Sequence, residues 1–313
     1  MSSIASNGSK PSSSSSAGWT SLPPEYAIPE QAPSELEARE YCRRLARRHY
    51  ENFSVVTCFL PEQLRQHFFN VYAYCRISDD LGDEVGDAAA SLRLLDEWET
   101  ELDACYAGCP RHPVFVALAE TVRTFEVPKY EFSDLLQAFR QDQTVTRYET
   151  FADLLGYCRY SANPVGHLVL YVCGYRDAER KQLSDYICTA LQLANFCQDV
   201  SVDFAKGRIY LPQEDLARFS YSESDLQNRQ YNERFVQLMD FEAARARQFF
   251  SRAAATLPRE DRRSMIAAEI MGAVYRGLLR KMEMDKFRIF EKEYRLGKLA
   301  KMGRIAVQLL KSF

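Results

Sequence analysis

Two acidic stretches have the composition and spacing that chemistry on a hard cation requires. The first, "YAYCRISDDLGDE" at residues 72–84, sets Asp79, Asp80, Asp83 and Glu84 behind an aromatic, half-apolar run. Asp79 and Asp83 stand at i, i+4, on one face of a helix. The second, "LQLANFCQDVSVDFAKGRIYLP" at 191–212, repeats that step with Asn195, Asp199 and Asp203, and Gln192 lies about one turn before them. On a helix these three form an oxygen-bearing stripe roughly 12 Å long. Mg²⁺ takes such oxygen ligands, keeps several waters, and is usually held by a few carboxylates plus substrate phosphate. Two stripes facing each other across a helical cavity could clamp one diphosphate and activate it as a leaving group. Alone, a DDxxDE or an NxxxDxxxD is more often a solvated helix face. Their joint occurrence, with "GRIYLP" following the second, favours the metal reading.

Helices must position these stripes, and from Ser34 onward the chain reads as helices joined by short loops. Ser34-x-x-Glu37 after Pro33 spells a capping box, and Thr150-x-x-Asp153 and Ser222-x-x-Asp225 mark further helix starts. Pro61 stands where a first helical turn tolerates it, and Leu64, Phe68, Val71, Tyr72 and Cys75 follow at helical spacing. Long strand-like alternation bounded by Asn-Gly or Asp-Gly turns is absent, as is any repeat of solenoid period. The expected fold is all-α and single-domain, spanning about 34–291. Residues 1–33, rich in Ser and Pro, read as a disordered leader without the apolar stretch of a secretory signal.

The 313 residues carry a net charge of -3, with no basic domain, zinc-finger spacing or Gly-rich phosphate loop, which argues against nucleic acid. The nine cysteines include no CxxC pair and the four histidines form no HExxH, so reduced thiols in a cytoplasmic protein are expected and zinc is not. No apolar run is long enough to span a bilayer. The C-terminal 292–313 interleaves six basic residues and one acid with Leu, Ile, Val and Met. It reads equally as an amphipathic helix on the cytosolic face of an anionic membrane or as a packed terminal helix with a basic outer face.

Over roughly residues 36–290 the motifs resemble the squalene/phytoene synthase family, the head-to-head trans-isoprenyl diphosphate synthases. "DDLGD" and "NFCQDVSVD" match its two Asp-rich motifs, and "GYCRYSANPVG" at 156–166 matches the segment carrying a functional tyrosine, here Tyr157. The resemblance implies an isoprenoid synthase-type helical bundle around a deep apolar cavity. Mg²⁺ would be held by Asp79, Asp83, Asn195, Asp199 and Asp203, and an isoprenoid diphosphate would be the substrate. By position, Arg76, Arg208 and Tyr210 would reach that diphosphate, Tyr72 would line its mouth, and Phe53 and Gln192 would line the pocket. The bland alternatives are surface ion pairs for the two arginines and core packing for Tyr72, Tyr157 and Tyr210.

Departures from the family pattern narrow the reading. Members that condense two prenyl diphosphates typically carry an "HSKSFS"-like stretch; here it is "HYENFS" (49–54), with Glu51 where the lysine would stand. An anion there would repel a second diphosphate. Gln198 replaces an arginine common before the second motif's aspartate, and "SANP" (161–164) replaces a small apolar stretch. The combination resembles the hydroxysqualene synthase branch of bacterial hopanoid biosynthesis. That resemblance implies one substrate, presqualene diphosphate, ionised with Mg²⁺, rearranged and captured by water to give hydroxysqualene, without NADPH. Asn163 is the candidate for placing that water, its bland reading being a turn residue before Pro164. The competing expectations are a presqualene diphosphate, squalene or phytoene synthase acting as a prenyltransferase, and a non-catalytic relative serving as an assembly factor.

Overall fold

The protein is described here by a computed structural model, which covers residues 22–48, 61–256 and 266–294. Among the described residues there is no strand. The α-helices are α1 (Glu35–Arg48), α2 (Glu62–Asp83), α3 (Ala88–Ala107), α4 (Pro113–Phe125), α5 (Tyr130–Gln141), α6 (Phe151–Ser161), α7 (Asn163–Val172) and α8 (Ala178–Ala205). They continue with α9 (Gln213–Arg218), α10 (Glu223–Gln227), α11 (Glu233–Thr256) and α12 (Ile266–Met284). No helix among the described residues is long and apolar enough to cross a membrane.

Local chemistry accounts for the helix starts. All three capping boxes form. Ser34 Oγ accepts from the Glu37 amide while Glu37 accepts from the Ser34 amide, and the same reciprocal pairs close at Thr150/Asp153 and Ser222/Asp225. Pro61 occupies the N-cap position of α2 without a side-chain bond, Asp87 caps α3 through the Ala90 amide at 2.7 Å, and Asp177 caps α8 through the Arg180 amide. After α3 the chain reverses at Gly108, whose φ of 82° is free of strain only without a Cβ.

Two cores share the molecule. The first gathers α1 to α5 with α7 around Tyr74, Trp98, Phe115 and Phe132, and is pinned by Tyr74 Oη donating to the Phe132 carbonyl at 2.9 Å. The second lies against the C-terminal half of α8, where that helix packs along α11 and α12 over Leu193, Cys197, Phe235, Met239 and Leu279. The first acidic stripe ends α2 in one core; the second ends α8 in the other. The site therefore lies where two separately packed halves meet.

The leader boundary needs correction. Residues 22–33, read from composition as disordered, include a 3₁₀ turn at Pro24–Tyr26 whose Tyr26 is buried against the first core. Polar composition hid one aromatic anchor. The stretch 295–313, most of the basic C-terminal segment, lies outside the described residues, as do 49–60. The eight described cysteines are unpaired thiols.

Candidate active site

Helix α2 delivers the first carboxylates in graded environments. Asp80 is buried, Asp79 and Asp83 are half-buried, and Glu84 is exposed. Asp80 faces inward, where Arg76 grips it with two guanidinium nitrogens, Nε at 3.0 Å, while Arg76 Nη1 reaches toward Asp79 at 3.4 Å. Tyr72, half-buried one turn earlier, sits within the field of Arg76, Asp80 and Asp79, and burial raises its hydroxyl. The arginine thus makes a partly buried ion pair, not a loose surface one.

Helix α8 brings Asn195, Asp199 and Asp203 onto one half-buried face, with Gln192 also half-buried upstream. The chain then turns at Gly207 and throws two cations back across the gap. Arg208 Nη1 donates to Asp83 Oδ1 at 2.5 Å and Lys206 Nζ to Asp83 Oδ2 at 3.0 Å. The two acidic stripes, distant in sequence, therefore converge on one shared point, Asp83. The Arg208 amide bonds the Asp203 carbonyl at 2.9 Å, so the loop carrying the cation is built onto the helix carrying the acid.

The carboxylates are unequal. Burial opposes ionisation of Asp83, but Arg208 and Lys206 more than offset it and hold its carboxyl below the usual range. Asp79 is raised by burial and then by the charge of Asp83, against the pull of Arg76; its side chain is 46% exposed, so water screens part of that push. Burial, followed by the charges of Asp199 and Asp83, pushes Asp203 up to about 8. Asp199 is raised by burial, against hydrogen bonds from the neutral side chains of Asn195 and Gln198 and a weaker pull from Lys206. Crowded carboxylates that resist ionisation are what a cation would relieve.

Asp142, at the C-terminal cap of α5, is a site residue that the motif reading missed. Its buried carboxylate accepts from Tyr157 Oη at 2.7 Å and Tyr210 Oη at 3.1 Å. Burial pushes it up to about 6 against the pull of Arg208. Around it Tyr148, Tyr157, Tyr210 and Phe196 form an aromatic wall, Phe196 and Tyr210 stacking at 4.2 Å. The signal was present: Leu135, Ala138 and Asp142 at i, i+3 and i+7 put a carboxylate in line with core residues. Tyr275 on α12, whose hydroxyl is raised by burial and by Asp199, was also missed; nothing in its sequence surroundings marks it.

A pocket with about 210 Å³ of unfilled space, open to solvent, is lined by Phe196, Val200, Asp203, Arg208, Tyr210 and Leu226. It joins the aromatic wall to the acidic stripe. Phe53 and Glu51 lie outside the described residues. Asn163 is not among the acids. It is the buried first residue of α7, its Oδ1 accepting from Thr189 Oγ1 of α8 at 3.2 Å, about 9 Å along the helix from Asn195. It therefore opens a helix instead of occupying a loop turn.

Among the described residues no group of three His, Cys, Asp or Glu side chains is placed to hold a metal ion by itself. The donor set is nevertheless all oxygen, and at Asp199 and Asp203 burial and mutual repulsion outweigh the pull of Lys206 and, at Asp203, of Arg208. Both features fit a hard divalent ion held by one or two carboxylates with other ligands supplied by phosphate and water.

Comparison with known proteins agrees with this architecture. A family model described as squalene/phytoene synthase matches residues 46–304. The 15-cis-phytoene synthase of Synechococcus elongatus is 33% identical over 301 residues, spanning 91% of this chain and 97% of that protein. The crystal structure of squalene synthase HpnC from Alicyclobacillus acidocaldarius aligns with a TM-score of 0.74 at 41% identity, covering 81% of this chain and 95% of that one. A dehydrosqualene synthase in complex with a ligand aligns with a TM-score of 0.76 at 26% identity, over 89% and 98% of the two chains. With its motifs, helices and paired acidic ridges in agreement, the chain belongs to the squalene/phytoene synthase family.

Proposed function

We propose that the protein is a hydroxysqualene synthase, a lyase acting on presqualene diphosphate. Asp79, Asp83, Asn195, Asp199 and Asp203 would hold Mg²⁺, which supplies neutralisation of charge on the departing diphosphate. The chain's own cations do the rest at that end. Arg76, Lys206 and Arg208, now paired with carboxylates, exchange those partners for diphosphate oxygens, and the arginines present forks suited to phosphate. The carbon–oxygen bond breaks with its electron pair leaving on diphosphate. The faces of Tyr72, Tyr157, Tyr210 and Phe196 stabilise the rearranging cation, each by ~2 kcal/mol or more where desolvated. Water then donates a lone pair to the cation and loses a proton, so no hydride donor is consumed; Asn163 is assigned to placing that water.

The observation that carries this reading is the cation inventory. Among the described residues, the side chains bonded to Asp79, Asp80 and Asp83 include three cations, Arg76, Lys206 and Arg208, and the side chains bonded to Asp199 include the neutral Asn195 and Gln198. That set suits one diphosphate. The 41% identity to a protein named squalene synthase HpnC supports the branch. The 33% identity to a phytoene synthase favours the second reading, a prenyltransferase condensing two prenyl diphosphates.

Incubation with Mg²⁺ and presqualene diphosphate, without NADPH, is expected to yield hydroxysqualene. A hydrocarbon or presqualene diphosphate formed from farnesyl diphosphate alone, or phytoene from geranylgeranyl diphosphate, would establish the second reading instead. Turnover of none of these fits a non-catalytic relative. A role for 292–313 on a lipid surface is proposed alongside, checked by vesicle flotation of the full chain against a version ending at 291. Equal flotation removes it.

A further inference from the structure

Asp80 is the acid of the first stripe that no ligand-facing role explains. It is 2% exposed, and both its oxygens are taken. Oδ2 accepts from Arg76 Nε at 3.0 Å and from Tyr26 Oη at 2.6 Å, while Oδ1 accepts from Arg76 Nη2. Tyr26 comes from outside the helical bundle, on the segment that precedes α1. Its ring is 8% exposed and packs into the first core. The segment is tied down beside it: Tyr41 Oη donates to the Glu25 carbonyl at 2.5 Å, and Arg48 lies 3.7 Å from the Glu25 carboxylate.

A buried carboxylate with one guanidinium partner can still rotate about its own bond. A second donor at a fixed position removes that freedom, and Arg76, a two-pronged partner, then has one orientation to match. Arg76 is only 31% exposed, and its Nη1 is the prong that extends along the helix toward Asp79 and the gap. We infer that Tyr26 is a positioning residue which, by fixing the Asp80 carboxylate, aims Arg76 at the diphosphate end of the site. The N-terminal segment is thereby part of the binding apparatus. The inference rests on the diphosphate reading above.

The test is a double-mutant cycle read by calorimetric binding of inorganic pyrophosphate in excess Mg²⁺ to the full chain. Tyr26→Phe keeps the buried ring and removes only the hydroxyl. It is expected to weaken pyrophosphate binding about five- to tenfold, with near-unchanged circular dichroism and a melting temperature lowered by a few degrees for the hydrogen bond lost inside the core. In an Arg76→Gln background the same substitution is expected to weaken binding less than twofold, because its effect runs through Arg76. Wild-type affinity in Tyr26→Phe overturns the inference. So does an equal loss in both backgrounds, which marks a general structural effect. If the wild-type chain binds no pyrophosphate, the diphosphate reading fails and takes the inference with it.

Discussion

The acidic end of α2 and the acidic end of α8 carry the same i, i+4 spacing in opposite electrostatic states. On α2 every inward charge is answered: Asp80 by Arg76 and Tyr26, and Asp83 by Arg208 and Lys206. On α8 the bonds to Asp199 come from neutral amides, and Asp203 resists ionisation because it is buried and, next, because Asp199 and Asp83 crowd it, more than Lys206 and Arg208 offset. The cations that follow α8 in sequence cross over to the other ridge. Asp80 and Asp83 of the first ridge thus belong to an ion-pair network, with Asp79 at its half-exposed edge still resisting ionisation, whereas both acids of the second ridge resist it.

The strongest way to break this contrast is Asp83→Asn. Losing the shared anchor leaves Arg208 and Lys206 without their partner, so kcat/KM should fall by about 10³, or ~4 kcal/mol, with a lower melting temperature in the unliganded protein. Activity within tenfold of wild type would show that the ridges act independently.

The second contrast concerns how α8 is held. His167 of α7 bonds Glu131 of α5 at 2.8 Å and Asp185 of α8 at 2.7 Å, and Lys181 of α8 also bonds Glu131 at 2.8 Å. Burial works against the imidazolium, but Asp185 and Glu131 prevail and raise it to about 9. A raised histidine contributes its stability fully below its ordinary value near 6.5 and loses it as pH rises through about 9. Unfolding free energy should therefore drop by on the order of 2–3 kcal/mol between pH 6.5 and 9.5. His167→Gln should flatten that window in denaturant titrations.

Gly166 tests the same junction sterically. A Cβ there would lie 2.1 Å from Ser184 Oγ and 2.6 Å from Cys188 Sγ, both on α8. Gly166→Ala should cost about 1–2 kcal/mol of stability by chemical denaturation, because the short neighbours can rotate only partly aside.

Asp142→Asn should lower kcat about tenfold, since an amide cannot accept from Tyr157 and Tyr210 with the strength of a carboxylate. Unchanged turnover would confine Asp142 to packing. The smallest effect sharpens the comparison most. Asp203→Asn removes a buried, crowded carboxyl that resists ionisation, so the unliganded protein should gain about 1 kcal/mol while Mg²⁺-dependent turnover falls. A loss of stability there would mean that the second ridge is already compensated.

Much of this was legible in the residues. The capping boxes at Ser34, Thr150 and Ser222 are local, three-residue chemistry, and each forms where it is spelled. The i, i+4 acids follow from helix geometry alone. Asp142 and Tyr26 were not legible as site residues. Their roles arise from partners 15, 68 and 54 positions away, and a hydrogen bond at that separation leaves no local pattern.

By itself, then, the order of amino acids determined that the chain is helical, that two helices end in oxygen-rich stripes, and to which family those stripes belong. Such features depend on backbone geometry within a few turns, which each segment carries wherever it packs. Tertiary structure alone decided that Arg208 and Lys206 serve the first ridge, that Asp80 turns inward to Tyr26, and that Asp203 is left crowded. Those outcomes depend on burial and on charges brought together across the two cores, and desolvation is set only once the helices have docked.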